Sequence, residues 1–321
     1  MATEPLEPQL SLSATAARNL ATATVTVPQI TDITPRWLHK LLPWVDVDGG
    51  VYRVNRVAKA AKGQPANEFG EVKVDLLTVA GGEPKLPTTF VDYEKNPREY
   101  HLSTIQTVLR THTRVTDLYS NKIDQLREQI RLTVEAVKER EEWELLNNAD
   151  FGLLNEVNPA QTIKTRKGPP TPDDLDELLG LVWKKPAFFL AHPKAIVAFG
   201  REATRRGVPP PTVQLFGSPF ITWRGVPLIP TNKLEVNVKS ASTSILLLRV
   251  GESEQGVVGL QKTGVTGEVE PGLSVRYMGT NENSVASHLV TRYFSASVLT
   301  TDAIACLDNV VINQYHEYDR K

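Results

Sequence analysis

The chain has 321 residues, enough for two domains of ordinary size or for one large domain with an elaborated arm. Its 36 Lys and Arg face 37 Asp and Glu, a net charge of −1, and 40% of its residues are hydrophobic, the composition of a folded globular protein. So even a balance excludes polyanion binding driven by overall charge, and the lone cysteine, Cys306, excludes an intramolecular disulfide and any multi-cysteine metal or iron–sulfur site.

Met1-Ala2-Thr3-Glu4-Pro5 offers neither a positive leader nor a long apolar stretch, and no segment approaches the roughly 18 apolar residues of a spanning helix. The expectation is a cytoplasmic protein with no membrane or nucleic-acid partner. Residues 1–48 hold no glycine, and prolines stand at 5, 8, 28, 35 and 43, the composition of an extended arm with short helices. Leu12, Ala16, Ala17 and Leu20 recur at helical spacing, and Pro35 to Leu42 reads as a short helix with Pro in its first turn. Trp37, Leu41 and Trp44 carry too much apolar area for water, so the arm must lie on its own body or on a neighbouring chain.

Alternation over Val51, Arg53, Val54, Arg56 and Val57 predicts a strand, within a basic run from Arg53 to Lys62 that reads as a solvated strand edge. Residues 63–104 mix short strand-like pieces with Gly81-Gly82, Pro84, Pro87 and Pro97, and predict a long two-stranded excursion with no core of its own. From Asn121 to Leu146, apolar residues at 123, 126, 130, 134, 137 and 145 step by three and four, predicting one long amphipathic helix whose pattern Glu141 and Trp143 interrupt. Asp173 to Leu181 predicts a second helix opened by acids, Ala187 to Ala191 a strand, and Pro193 to Arg205 a third helix. Strand-like pieces dominate thereafter, with Ile245 to Leu248 fully buried and Ser284 to Asp302 one long strand. The fold class is α+β.

Catalytic chemistry finds little support. Neither G-x-G-x-x-G nor G-x-x-x-x-G-K-[ST] occurs, and Gly256 to Lys262 reads as a hairpin region. The six histidines include no i,i+4 pair, so no metal or cofactor is expected. His192, at the end of an apolar strand, is the best catalytic candidate, against a structural role there. The pairs Glu141-Glu142 and Asp173-Asp174 lie on predicted helices, where adjacent residues point to different faces, and read as solvated faces or caps. Cys306 sits among Ala303, Ile304, Ala305 and Leu307 and reads as a small buried hydrophobe.

The order of elements resembles the tailed-phage major capsid protein of the Hong Kong 97 type. The likeness is carried by the helix end Trp143-Glu144-Leu145-Leu146-Asn147-Asn148, by Phe189-Leu190-Ala191-His192-Pro193-Lys194-Ala195, and by Trp223 to Thr231, which contains Gly225-Val226-Pro227. The N-terminal stretches Thr26 to Thr31, Thr34 to Leu38, Leu41 to Val45 and Gly50 to Asn55 are similar to family 2 encapsulin shell proteins, and the length leaves no room for a cyclic-nucleotide-binding insertion, as in subtype 2A.

The resemblance implies an arm over 1–50, an extended loop over 63–104, a peripheral domain from 51–62, 105–172 and 240–321, and an axial domain over 173–239. It implies a bacterial nanocompartment whose chains self-assemble into an icosahedral shell around a cargo enzyme, expected to be a cysteine desulfurase of sulfur metabolism. The shell protein itself is not expected to be an enzyme. Arg201 to Pro211 would line the five-fold pore, with Arg201, Arg205, Arg206 and Gly207 as its named residues; an exposed helix end bearing arginines is the other reading. Trp37, Leu41 and Trp44 would contact a neighbour. Lys85 with Asn281 or Asn283 falls where phage relatives crosslink, which an encapsulin is not expected to do. A DNA-packaging capsid protein and an enzyme using His192 remain the rivals.

Overall fold

The computed structural model describes residues 33–67, 70–79, 81–112, 125–166, 168–314 and 316. The expected helix at Leu12 to Leu20, the Thr26 to Thr31 motif and the first four residues expected in the long helix lie outside them. Contacts divide the chain into two units, Gly49–His101 and the remainder.

The larger unit is built on two sheets. Seven strands run in the order β5 (Thr162–Lys164), β15 (Ile304–Val311), β10 (Ser242–Leu248), β6 (Phe188–Ala191), β9 (Val226–Pro230), β8 (Ser218–Trp223) and β7 (Thr212–Leu215). Its central strands are apolar on both faces, as strands covered on both sides must be. Phe189, Ala191, Ile245, Leu247, Ala305 and Leu307 pack under α4 (Pro172–Leu181) and α5 (Pro193–Arg205). Their neighbours Phe188, Leu190, Leu246, Leu248, Ile304 and Cys306 join Leu145, Leu146, Phe151 and Phe294 in the second core. The predicted strand at Ile245 to Leu248 and the helix at Pro193 to Arg205 stand as read.

The other sheet has the order β1 (Trp44–Asp46), β11 (Val257–Gln261), β14 (Val285–Val298), β13 (Leu273–Thr280) and β12 (Glu268–Glu270), with β4 (Ser103–His112) also paired to β14. The long helix α2 (Gln125–Asn147) packs Val137 with Leu273 and Val290 of this sheet. Gly256 to Lys262, read as a hairpin region, instead contributes β11, paired antiparallel with β14 and parallel with β1. Glycine serves there because a Cβ at Gly259 would stand 2.7 Å from the Trp44 ring.

Helix ends follow local chemistry. In the capping box of α4, Thr171 Oγ1 accepts from Asp174 N–H while the Asp174 carboxylate accepts from Thr171 N–H at 2.8 Å. At the end of α5, Gly207 at φ 82° takes the left-handed position, Val208 N–H donates to Ala203 O and Gly207 N–H to Thr204 O, both at 3.0 Å. Arg224 and Gly225, at φ 49° and 85°, form the two-residue turn between β8 and β9.

In the smaller unit, β2 (Val51–Val54) pairs antiparallel with β3 (Arg98–His101). That pairing closes the excursion at its base, and the compact unit runs from Gly49 to His101. Arg53 of the basic run faces Glu99 across the ladder at 2.7 Å.

Because Trp44 lies flat against Gly259, Gly259→Ala is expected to lower stability by about 1–3 kcal/mol through overpacking. A denaturation midpoint equal to that of the parent chain would refute the tight contact.

Candidate functional site

Four residues of the arm segment after Ile33 make one polar seam with α2. Arg36 Nη1 lies 2.5 Å from Glu135 and 3.2 Å from Glu139, and Thr34 N–H donates to Glu139 Oε1 at 2.7 Å. Lys233 Nζ reaches the other Glu139 oxygen at 2.6 Å. Glu142 accepts from the backbone N–H groups of Leu38 and His39 at 3.2 and 3.1 Å, capping the short arm helix α1 (Trp37–Leu41) whose own preceding residue, Arg36, supplies no side-chain cap. Glu141 takes Arg292 of β14 at 2.7 Å and His39 Nδ1 at 3.2 Å.

Glu141 and Glu142 are each 1% exposed, so the reading of this pair as a solvated face does not hold. Both read correctly as pointing to different faces, and each face meets its own donors. Burial pushes the Glu141 carboxyl up, but His39 and the Arg292 guanidinium outweigh it and hold it below the ordinary carboxylate value. For Glu142, burial wins over the two backbone N–H groups and the value is raised. Burial also opposes ionisation of Glu139, yet Lys233 and Thr34 hold its value down.

Trp37, expected against a neighbouring copy, is 8% exposed in its own chain, where its ring meets Phe220 edge-on at 5.3 Å. Leu41 and Trp44 are half-buried against the same core, and Trp44 Nε1–H donates to His39 O at 2.9 Å. Of the two alternatives for this segment, its own body is the one that covers Trp37.

A second locus is the end of α5. Arg201, Arg205 and Gly207 are exposed, and loop 207–211 carries no charged side chain. Arg206 is half-buried, 2.7 Å from Asp173 and 3.5 Å from Glu202, so its charge is committed to holding α5 against α4. Arg201 also lines an apolar groove of about 660 Å³ with Lys194, Val197, Val236 and Ile312.

His192 is the N-cap of α5, its Nδ1 accepting from Lys194 N–H at 3.1 Å. Burial first and the Lys194 charge second hold its imidazole below its ordinary value, in keeping with a neutral acceptor. Asp174 is the α4 cap already described, and Asp173 pairs with Arg206. Cys306 is 6% exposed, and burial followed by the Asp308 charge pushes its thiol up to about 12. Asn281 Oδ1 accepts from Asn283 and Val285 N–H groups and shapes the turn into β14. Among the described residues no helix is long and apolar enough to cross a membrane.

Two cores sharing a central sheet, a long helix laid across a second sheet and a two-stranded excursion forming its own unit define a capsid-type shell protein of the Hong Kong 97 fold. A chain of the capsid of a native GTA particle has that fold, with a TM-score of 0.57 at 12% identity over 93% of this chain and 99% of its own. A family model described as SrpI-like type 2A encapsulin shell protein matches residues 59–314. The type 2A encapsulin shell protein SrpI of Synechococcus elongatus is 59% identical over 97% of both chains. The cryo-EM structure of the holo-SrpI encapsulin complex from that organism superposes with a TM-score of 0.80 at 56% identity, covering 97% of this chain and 100% of its own. The chain belongs to the type 2A encapsulin shell protein family.

Glu141→Gln is expected to cost about 3–5 kcal/mol, since it leaves the Arg292 charge buried without its counter-charge, while an apolar pair replacing both residues recovers most of that loss. Stability held by Glu139 and Glu141 is present above the ordinary glutamate value, about 4.3, and is lost as pH falls through their lowered values. Urea midpoints of the parent and of Glu141→Gln between neutral and acid pH check this, the variant showing the weaker loss on acidification.

Proposed function

We propose that this chain assembles with copies of itself into a closed icosahedral shell in the cytoplasm, enclosing a cargo enzyme and admitting small molecules through openings at the symmetry axes. The role is structural rather than catalytic. The cargo proposed from the family resemblance is a cysteine desulfurase, which connects the compartment to sulfur metabolism.

The observation that carries the assembly reading is the excursion. Leu76, Phe90 and Leu86 are 86%, 79% and 75% exposed on a unit whose ladder is four residue pairs long. An isolated two-stranded ribbon is marginal in water, and this much apolar area gains most by lying on a second copy. The half-exposed edges of Leu41 and Trp44 are available to the same neighbour. The capsid-fold parts map onto the chain as arm, peripheral domain, extended loop and axial domain in the order set out above.

In this reading the loop after α5 rims the five-fold opening, with Gly207 turning the chain and Pro209 to Pro211 stiffening it. Arg201 and Arg205 supply positive charge there, which favours small anions. The near-neutral chain supports an enzyme cargo over packaged DNA, and the capping role of His192 removes the motive for a hydrolytic or acid–base reading.

Size-exclusion chromatography with negative-stain electron microscopy tests the assembly. Closed uniform particles on the order of 2 MDa are expected for the smallest icosahedral shell, and a monomer or small oligomer would sink the proposal. Boiled SDS electrophoresis is expected to show a single 35.5 kDa band, without the ladder of a crosslinked capsid.

A further inference from the structure

The six-stranded sheet under α2 ends in an open edge. β13 pairs with residues 286–292 of β14 and β4 pairs with 285–294 of the same strand, so the two hold opposite edges of β14 and β4 is outermost. Among the described residues, β4 makes no backbone hydrogen bond beyond that ladder. Gln106, Thr107 and Val108 are exposed in succession, so neither face of the strand is covered there. Over its 10 residues β4 has no proline, no lysine and no bulge, and Arg110 is its one permanent charge. Prolines, lysines and bulges are the devices that keep an edge from pairing with another chain, and without them this edge is competent to pair.

The excursion holds a strand-forming segment that has no sheet. Val74 to Val79 reads Val-Asp-Leu-Leu-Thr-Val, a composition suited to strands, yet it enters no ladder. Leu76 is 86% exposed, and Val74, Leu77 and Val79 lie about half in water. The segment is anchored on one side only: Asp75 N–H donates to Thr89 Oγ1 at 3.2 Å, and Asp75 O accepts from the same hydroxyl at 3.4 Å. In an extended chain neighbouring residues turn their N–H and C=O groups to opposite edges. With Asp75 turned to Thr89, the groups of Val74, Leu76 and Thr78 are left for the other edge, and none of them makes a backbone hydrogen bond among the described residues.

We propose that residues 74–79 of one copy add as a strand to the open edge of β4 in a neighbouring copy. This rests on the shell reading and deepens it, by naming the surface on which the excursion lies. The backbone bonds of the added strand supply the affinity, and its apolar side chains meet those along β4, Val108 among them. Each copy gives one strand and receives one, so the contact joins two different patches of the same chain and closes when repeated around a symmetry axis. Pairing of two β4 edges with each other would also satisfy the edge, but it would leave Leu76 and its neighbours in water. The excursion is the occupant that answers both needs.

Cys306 is buried, so cysteines placed on the surface report contacts between copies without interference. Shells are co-assembled from full-length copies carrying Leu76→Cys and full-length copies carrying one of Thr104→Cys, Ile105→Cys, Gln106→Cys, Thr107→Cys or Val108→Cys, then oxidised and run unreduced on SDS gels. Successive side chains of a strand face opposite ways, so disulfide-linked dimers are expected at every second position of β4, several-fold above the positions between. Dimers at adjacent positions alike, or at none, in shells that form normally overturn the pairing and leave the shell reading standing. Dimers from shells whose copies all carry the β4 cysteine alone place two β4 edges face to face and overturn the choice of occupant. A parent chain that yields no particles overturns the shell reading itself, and this pairing with it.

Discussion

A carboxylate removed from water must find donors, and α2 removes two in succession. Neighbouring residues on a helix stand about 100° apart, so Glu141 and Glu142 cannot share one partner. Glu142 finds the unsatisfied amides at the start of α1, and Glu141 finds Arg292 on β14. One helical turn thus joins an arm, a helix and a sheet that are distant in sequence. Leaving either acid without its donors costs more than the bonds themselves return, so the arrangement acts as a specification of which surfaces meet. With α1 held in place, Trp37 closes the core between the two sheets, and the seven-stranded sheet is covered on its second face.

The seven-stranded sheet then divides the work. One face is sealed by α4 and α5, whose caps are supplied by Thr171, Asp174, His192 and Gly207. The other shares its core with α2 and the arm. Beyond α5 a short, largely exposed proline-rich loop leads into β7, a place where sequence can vary without disturbing either core.

Local signals were legible wherever the chain satisfies itself locally. Pro193 to Arg205 is bounded by a proline at its first position and a glycine past its end, and Ile245 to Leu248 is an unbroken apolar run. Glu141 was legible only as an anomaly, an acid in the stripe of Val134, Val137 and Leu145, because its cation lies 151 residues away. The hairpin reading of Gly256 to Lys262 failed for a related reason. Gly259 looks like a turn residue, but its job is to make room for Trp44, and that contact is tertiary. The α5 loop carries no motif at all, and only the resemblance drew attention to it.

The lone thiol bears on the chemistry a wall of this protein can tolerate. Cys306 is sealed in the core, and with its proton held to about pH 12 it presents almost no thiolate at neutral pH. With Cys306 the chain's one cysteine, neighbouring copies present no exposed thiol for disulfide exchange. A wall of such chains cannot be stitched or capped through cysteine, and its cohesion rests on non-covalent packing alone.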